Sequence, residues 1–196
     1  CPEPRREFYA HMDAANVDLK AFTEDFYFHT CGGHLHEVLD TLEYLVHETA
    51  VWVEITNLLI PGKNDSDAEL DAMTRWVVEH LGPDVPMHFT AFHPDFKMLD
   101  VPPTPAGTLT RARAIALRNG VRYAYTGNVH DADGGSTRCP GCGHVVIERD
   151  WYVLGSYRVT EHGLCTSCGT AVPGRFDGPA GRFGARRIPV RLAGRA

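Results

Sequence analysis

The feature that most constrains this chain is a series of strand-like segments centred near Asp18, Val53, Phe89 and Tyr123, spaced 35, 36 and 34 residues apart. Each interval holds a helical pattern long enough to return the chain across a sheet, so successive strands run parallel. The second segment is the clearest. Val51, Val53 and Ile55 alternate with Trp52, Glu54 and Thr56, and residues 58–60 finish the run with an apolar end, which predicts a strand buried on both faces. Pro61-Gly62 stops it, and Ser66 with Glu69 forms a Ser-x-x-Glu capping box at the start of a helix. Leu70, Met73, Val77 and Leu81 share one face of that helix before Gly82 ends it.

The same grammar covers the first 130 residues. A short helix over 4–12 precedes a strand over 14–19, which Lys20 closes. A connection through Phe26, Tyr27 and His29 leads to Gly32-Gly33, which opens a helix with Leu35, Val38, Leu42 and Leu45 on its apolar face. Residues 86–92 read as the third strand, 104–120 as a helix from Thr104-Pro105 to Asn119-Gly120, and 121–126 as the fourth strand. The fold class expected is α/β: four units, equal to half of an eight-stranded barrel or the back part of a smaller, open one. A doubly wound sheet is the alternative. In either case ligands meet the carboxyl ends of the strands.

Those ends carry Asp18-Leu19-Lys20, then 61–65 (Pro-Gly-Lys-Asn-Asp), His93-Pro94, and 127–130 (Gly-Asn-Val-His). The chain's three lysines, Lys20, Lys63 and Lys97, all lie at or just past a strand end, a placement that suits a cationic rim for an anionic ligand as well as ordinary polar loops. Lys20 is the strongest candidate, because it ends a strand two residues after an acid. His34 and His36 are too close in sequence to share a helix face and are expected to be structural or solvated rather than a metal pair. Cys31, before Gly32-Gly33, is expected to be a small buried residue in a tight turn, with a reactive thiol as the other reading.

Charge changes sign along the chain. Residues 1–130 carry ten Lys and Arg against nineteen Asp and Glu, and residues 131–196 carry nine against six. A boundary is expected near 129–135, dividing a β/α part (1–130) from a cysteine-rich part (131–176) and an Arg/Gly-rich tail (177–196). Cys139-Pro-Gly-Cys142-Gly143 and Cys165-Thr-Ser-Cys168-Gly169 are two knuckles, in which the glycine after the second cysteine supplies the left-handed turn that curls the backbone round a metal. With no secretory signal, CxxC pairs favour a metal over disulfides. Cys139, Cys142, Cys165 and Cys168 are therefore the expected ligands of one ion, structural Zn in the first instance and redox-active Fe in the second. Strands around Val145-Val146-Ile147, Trp151-Tyr152-Val153 and Tyr157-Arg158-Val159 give a small zinc-ribbon or rubredoxin-like β module. The Arg-rich tail reads as solvated, with 188–192 as an edge strand, in preference to a nucleic-acid arm. No run is long and apolar enough to span a bilayer, so no membrane partner is expected and a cytoplasmic location is the default. The chain begins Cys1-Pro2 without Met, which reads as a fragment or processed piece.

The ordered set Asp18-Leu19-Lys20, 29–33 (His-Thr-Cys-Gly-Gly), 59–65 (Leu-Ile-Pro-Gly-Lys-Asn-Asp), Phe92-His93-Pro94 and 125–128 (Tyr-Thr-Gly-Asn) resembles the back half of radical SAM enzymes of the pyruvate formate-lyase activating type. It is most similar to the AmmeMemoRadiSam-system branch, which carries the same Cys-rich tail. The resemblance implies the carboxyl-terminal half of a partial, TIM-like β/α barrel. It also implies S-adenosyl-L-methionine, a [4Fe-4S] cluster that cleaves it reductively to a 5′-deoxyadenosyl radical, an electron donor, and a substrate or partner protein of unknown identity. By position, Asp18, Lys20, Ile60, Pro61, Gly62 and His93 match residues around the adenosylmethionine. The family's CxxxCxxC cluster loop is absent from this chain, which by itself is expected to be inactive. A non-catalytic, zinc-dependent binding module scaffolded by the β/α part is the rival function.

Overall fold

A computed structural model describes residues 2–176. The helix α1 (Pro2–Tyr9) leads into β1 (Ala14–Asp18), and a short α2 (Glu24–Phe26) runs on through a wide five-residue turn, Tyr27–Cys31. Then follow α3 (Leu35–Glu48), β2 (Trp52–Leu59), α4 (Asp67–Trp76) with its wide last turn Val77–Leu81, β3 (Met87–Ala91), α5 (Ala106–Arg118) and β4 (Ala124–Gly127). The strands form one parallel sheet in the order β1-β2-β3-β4. A doubly wound sheet reverses its strand order partway, whereas sequential order with every return on one side is how a β/α barrel is laid down. The barrel alternative holds. Among the described residues β1 pairs with β2 alone, so its other edge is open.

The core lies between sheet and helices. Val53, Ile55 and Leu59 of β2 and Met87 and Phe89 of β3 pack under Leu42 and Leu45 of α3, Leu70 and Met73 of α4, and Leu109 and Ala112 of α5. The expectation that β2 is buried on both faces is corrected: its residues alternate between buried and half-buried, with Trp52, Glu54, Thr56 and Leu58 on the face away from the helices. Period-2 alternation there meant one covered face and one open face. The capping box is half right. Ser66 accepts the Glu69 amide at 3.3 Å, but the Glu69 carboxylate leaves its own helix start and accepts the Phe22 amide at 2.6 Å.

After β4, Asp131 caps a four-residue helix α6 (Ala132–Gly135), and a three-stranded antiparallel sheet follows: β5 (Thr137–Arg138), β6 (Val145–Asp150) and β7 (Val153–Tyr157). Trp151 and Tyr152, expected in a strand, form the hairpin turn instead, with Trp151 in a left-handed backbone (φ 55°). Val146, Ile147, Val159 and Val172 make a second small core around Cys139 and Cys165. This is the small β module expected after the β/α part. Asp133 ties the two parts, pairing with Arg113 of α5 at 3.2 Å and Arg138 of β5 at 2.5 Å. The expected edge strand over 188–192 falls outside the described residues.

Candidate functional site

The four cysteines converge. Their Sγ atoms all lie within 4.8 Å of one another, with 3.5 Å between Cys139 and Cys168 and 3.9 Å between Cys142 and Cys165. Thiolates bound to one zinc at about 2.3 Å stand roughly 3.8 Å apart, so the set fits a tetrahedral ion. The knuckles are built alike. Gly143 and Gly169 have φ of 73° and 75°, and their amides donate to the carbonyls of Cys139 and Cys165 at 2.9 and 2.8 Å. The two knuckles also touch, since a Cβ on Gly141 would lie 2.3 Å from Thr170 Oγ1. Among the described residues no other group of His, Cys, Asp and Glu has ligand geometry, and His34 turns to Glu24 at 2.5 Å rather than to a metal partner. A four-sulfur set suits zinc or iron equally.

At the carboxyl ends of β1 and β2 the expected residues are brought together by buried amides. Lys20 Nζ pairs with Asp18 Oδ2 at 3.1 Å, with both side chains open to solvent. Asn64, 2 % exposed, donates to the carbonyls of Lys20 (2.5 Å) and Leu58 (2.9 Å) and accepts the Ile60 amide at 2.7 Å. Asn57, equally buried, donates to the carbonyls of Leu19 and Lys20 at 2.7 and 3.0 Å. The Tyr27 hydroxyl accepts the Lys20 amide at 2.9 Å, and burial pushes that phenol up to about 12. Gly62 takes φ 72° at the apex of the turn, and its amide donates to Asp65 at 2.8 Å.

Other expected residues sit differently. The Ile60 side chain packs into an apolar cluster with Ala21, Phe26, Tyr27 and Phe92, so only its backbone faces the turn. His93 is exposed, its Nδ1 3.2 Å from the Pro94 carbonyl, and no hydrogen bond joins it to Asp18, Lys20 or the turn. Lys63 is exposed, and Lys97 lies 5.3 Å over the Phe96 ring, so the three lysines form no shared rim. Cys31 is corrected: it is exposed at the end of the wide turn, not buried, because the turn extends α2 outward before Gly32 reverses the chain.

Sequence reasoning missed the open face of the sheet. There Glu54 Oε2 meets His88 Nε2 at 2.7 Å, Glu54 Oε1 accepts the Trp52 indole at 3.1 Å, and the His88 ring stacks on Tyr125 (5.1 Å, 25°). The hydrogen bond from His88 is the main reason Glu54 sits below the usual carboxylate range. Tyr125 and Arg149 both reach Thr137 Oγ1, at 2.9 and 2.7 Å. The available signal was the polar half of each alternating strand.

Fold and site together define a parallel β/α half-barrel joined to a four-cysteine metal module. No family model matches the chain. It is 40% identical over 164 residues to the uncharacterized protein MJ0808 of Methanocaldococcus jannaschii, a match covering 82% of this chain and 48% of that protein. The chain thus spans about half the length of the curated relative it matches. Its fold is similar to the crystal structure of a domain of pyruvate-formate lyase-activating enzyme from Bacteroides vulgatus, with a TM-score of 0.56 over 65% of this chain and 75% of that one. At 15% identity this likeness is one of fold. No helix among the described residues is long and apolar enough to cross a membrane.

Proposed function

We propose that this chain is the carboxyl-terminal part of a radical SAM enzyme of the activating type, with residues 1–130 as its half-barrel and 131–176 as a structural metal ribbon. The observation that carries this is the Asp18–Lys20 pair, held at the carboxyl end of β1 by Asn57, Asn64 and Tyr27 beside the Pro61-Gly62 turn. An exposed carboxylate and ammonium 3.1 Å apart fit the ammonium, ribose and carboxylate of S-adenosylmethionine. When bound, that cofactor, together with a [4Fe-4S] cluster held by residues other than these, would supply a 5′-deoxyadenosyl radical for hydrogen abstraction. What this chain contributes is binding. Lys20 meets the carboxylate, Asp18 the ammonium or ribose hydroxyls, and the turn at 60–62 with His93 the adenosyl part.

The test is calorimetric titration of S-adenosylmethionine into a longer form that also carries a CxxxCxxC loop. A charge-assisted hydrogen bond contributes about 1.5 to 3 kcal/mol, so Lys20→Met is expected to weaken binding roughly ten- to a hundredfold while leaving the ribbon metal in place. Unchanged affinity in Asp18→Asn, Lys20→Met and His93→Ala alike would remove the site assignment. The chain of 196 residues by itself is expected neither to assemble a [4Fe-4S] cluster nor to release 5′-deoxyadenosine under reducing conditions. If the longer form also fails both assays, the non-catalytic, zinc-dependent module becomes the better reading.

A further inference from the structure

A cleft of about 350 Å³ lies between the open face of the sheet and the β6–β7 hairpin. It is lined by Glu54, His88 and Tyr125 of the parallel sheet, Asn128 just after β4, and Arg149 and Trp151 of the β module. We propose that this cleft binds a small molecule carrying an oxyanion, a carboxylate or a phosphate ester, with Arg149 gripping the anion and the Glu54–His88 pair receiving a donor at the ligand's other end. The cleft reaches the carboxyl end of β4 at residues 127–129, but its anion grip, Arg149, belongs to the β module and not to the part of the rim that carries Asp18 and Lys20.

Its size, its arginine, its acidic end and its aromatic surface support it. The volume falls in the range of small-molecule sites, about 300 to 1,000 Å³. Arg149 is half-buried, yet only one of its guanidinium nitrogens is engaged, donating to Thr137 Oγ1 at 2.7 Å. Among the described residues no carboxylate pairs with it, whereas arginines such as Arg5, Arg113 and Arg138 each meet an aspartate. Its remaining donors keep the fork geometry that takes an oxyanion through two bonds. The bond to Thr137 restrains the guanidinium, so less side-chain freedom is lost on binding.

The opposite end is equally prepared. Glu54 is held charged by the His88 and Trp52 donors and by the nearby Arg149 charge, while His88 Nδ1 has no hydrogen-bond partner among the described residues. Positive and negative groups thus face one cavity without pairing directly. Aromatic surface completes it. Tyr125 lies flat against His88, and Trp151 stacks on His130 at 5.1 Å and 27° while remaining 46% exposed. Trp151, which lines this cleft, has a φ of 55°, a region large side chains rarely enter.

The experiment uses the zinc-loaded chain and follows the three indole N–H signals by NMR. The probes are 4-aminobenzoate, 4-aminophenyl phosphate and neutral 4-aminobenzamide. The expected result is a saturable shift of the Trp151 and Trp52 signals with at least one of the two anions. Trp76, stacked on His80 in α4, should stay still, and the benzamide should bind at least tenfold more weakly. Whichever anion binds more tightly identifies the group that Arg149 receives. Arg149→Met should weaken that anion at least tenfold, and Arg149→Lys, which keeps the charge but not the fork, should fall between. The proposal is overturned if neither anion moves the Trp151 signal, or if Arg149→Lys and Arg149→Met titrate like the unmodified chain.

Discussion

Asn64 holds Lys20 in place: one side-chain amide donates to the Lys20 carbonyl at 2.5 Å while its oxygen accepts the Ile60 amide at 2.7 Å. The residue is 2 % exposed, so water cannot take over these bonds. Asn64→Ala leaves several buried backbone groups unpaired, each costing about 1 to 3 kcal/mol before relaxation. A loss of about 2 to 3 kcal/mol in urea unfolding is the expected outcome. A change below about 0.5 kcal/mol would mean that the turn rests on Pro61 and Gly62 alone.

The ribbon is expected to bind one metal ion per chain. Elemental analysis should find it, and Cys142→Ala combined with Cys168→Ala should abolish it. Structural zinc contributes on the order of 10 kcal/mol to folding in small modules of this kind. Chelation is therefore expected to expose the amides of residues 136–172 to hydrogen exchange while those of β2 and β3 remain protected. Uniform loss of protection across both sheets would contradict two separately stabilised cores.

Gly141 tests the packing between the knuckles. A Cβ there would stand 2.3 Å from Thr170 Oγ1 and 2.9 Å from Thr170 Cβ, too close for real atoms. Gly141→Ala is expected to lower zinc affinity by roughly tenfold, since about 1.4 kcal/mol of strain suffices for that factor. Combining it with Thr170→Gly should recover most of the loss. Failure of the double variant to recover would place the cost elsewhere.

Glu54 should leave a signature in the acid range. Hydrogen bonding from His88 depresses it below its ordinary value of 4.5, so its contribution to stability is full above that pH and is lost as pH falls through the folded value. Urea midpoints at pH 5.5 and pH 3 should therefore differ more for the unmodified chain than for Glu54→Gln. Equal acid losses in both would show that His88 does not favour the charged carboxylate.

The strands and metal knuckles were legible because they are local. A β-branched run ending at Pro61-Gly62, or Cys-x-x-Cys-Gly twice, is determined by neighbours in sequence. The Glu54–His88–Tyr125 network was not, because it depends on register: Thr56 stands opposite His88, and His88 opposite Tyr125, across strands some 35 residues apart. The positioning asparagines were hidden for another reason. Asn57 within a strand and Asn64 in a polar loop look unremarkable until the Lys20 carbonyl they serve is placed between them. Cys31 shows the opposite failure, in which composition suggested burial and the wide turn of Tyr27–Cys31 carried the thiol outward.

The sequential order of the parallel strands also bears on how the chain assembles in time. Among the described residues every neighbour in the parallel sheet is the next strand along the chain, so each pairing closes a loop of similar length. Such a sheet can grow by accretion as the polypeptide lengthens, one strand and one helix at each step. The ribbon follows a different clock. Its two knuckles lie 22 residues apart, and a metal ion arriving from solution can draw them together, whether or not the sheet before them is complete. One half of the molecule would then be paced by chain growth and the other by metal supply.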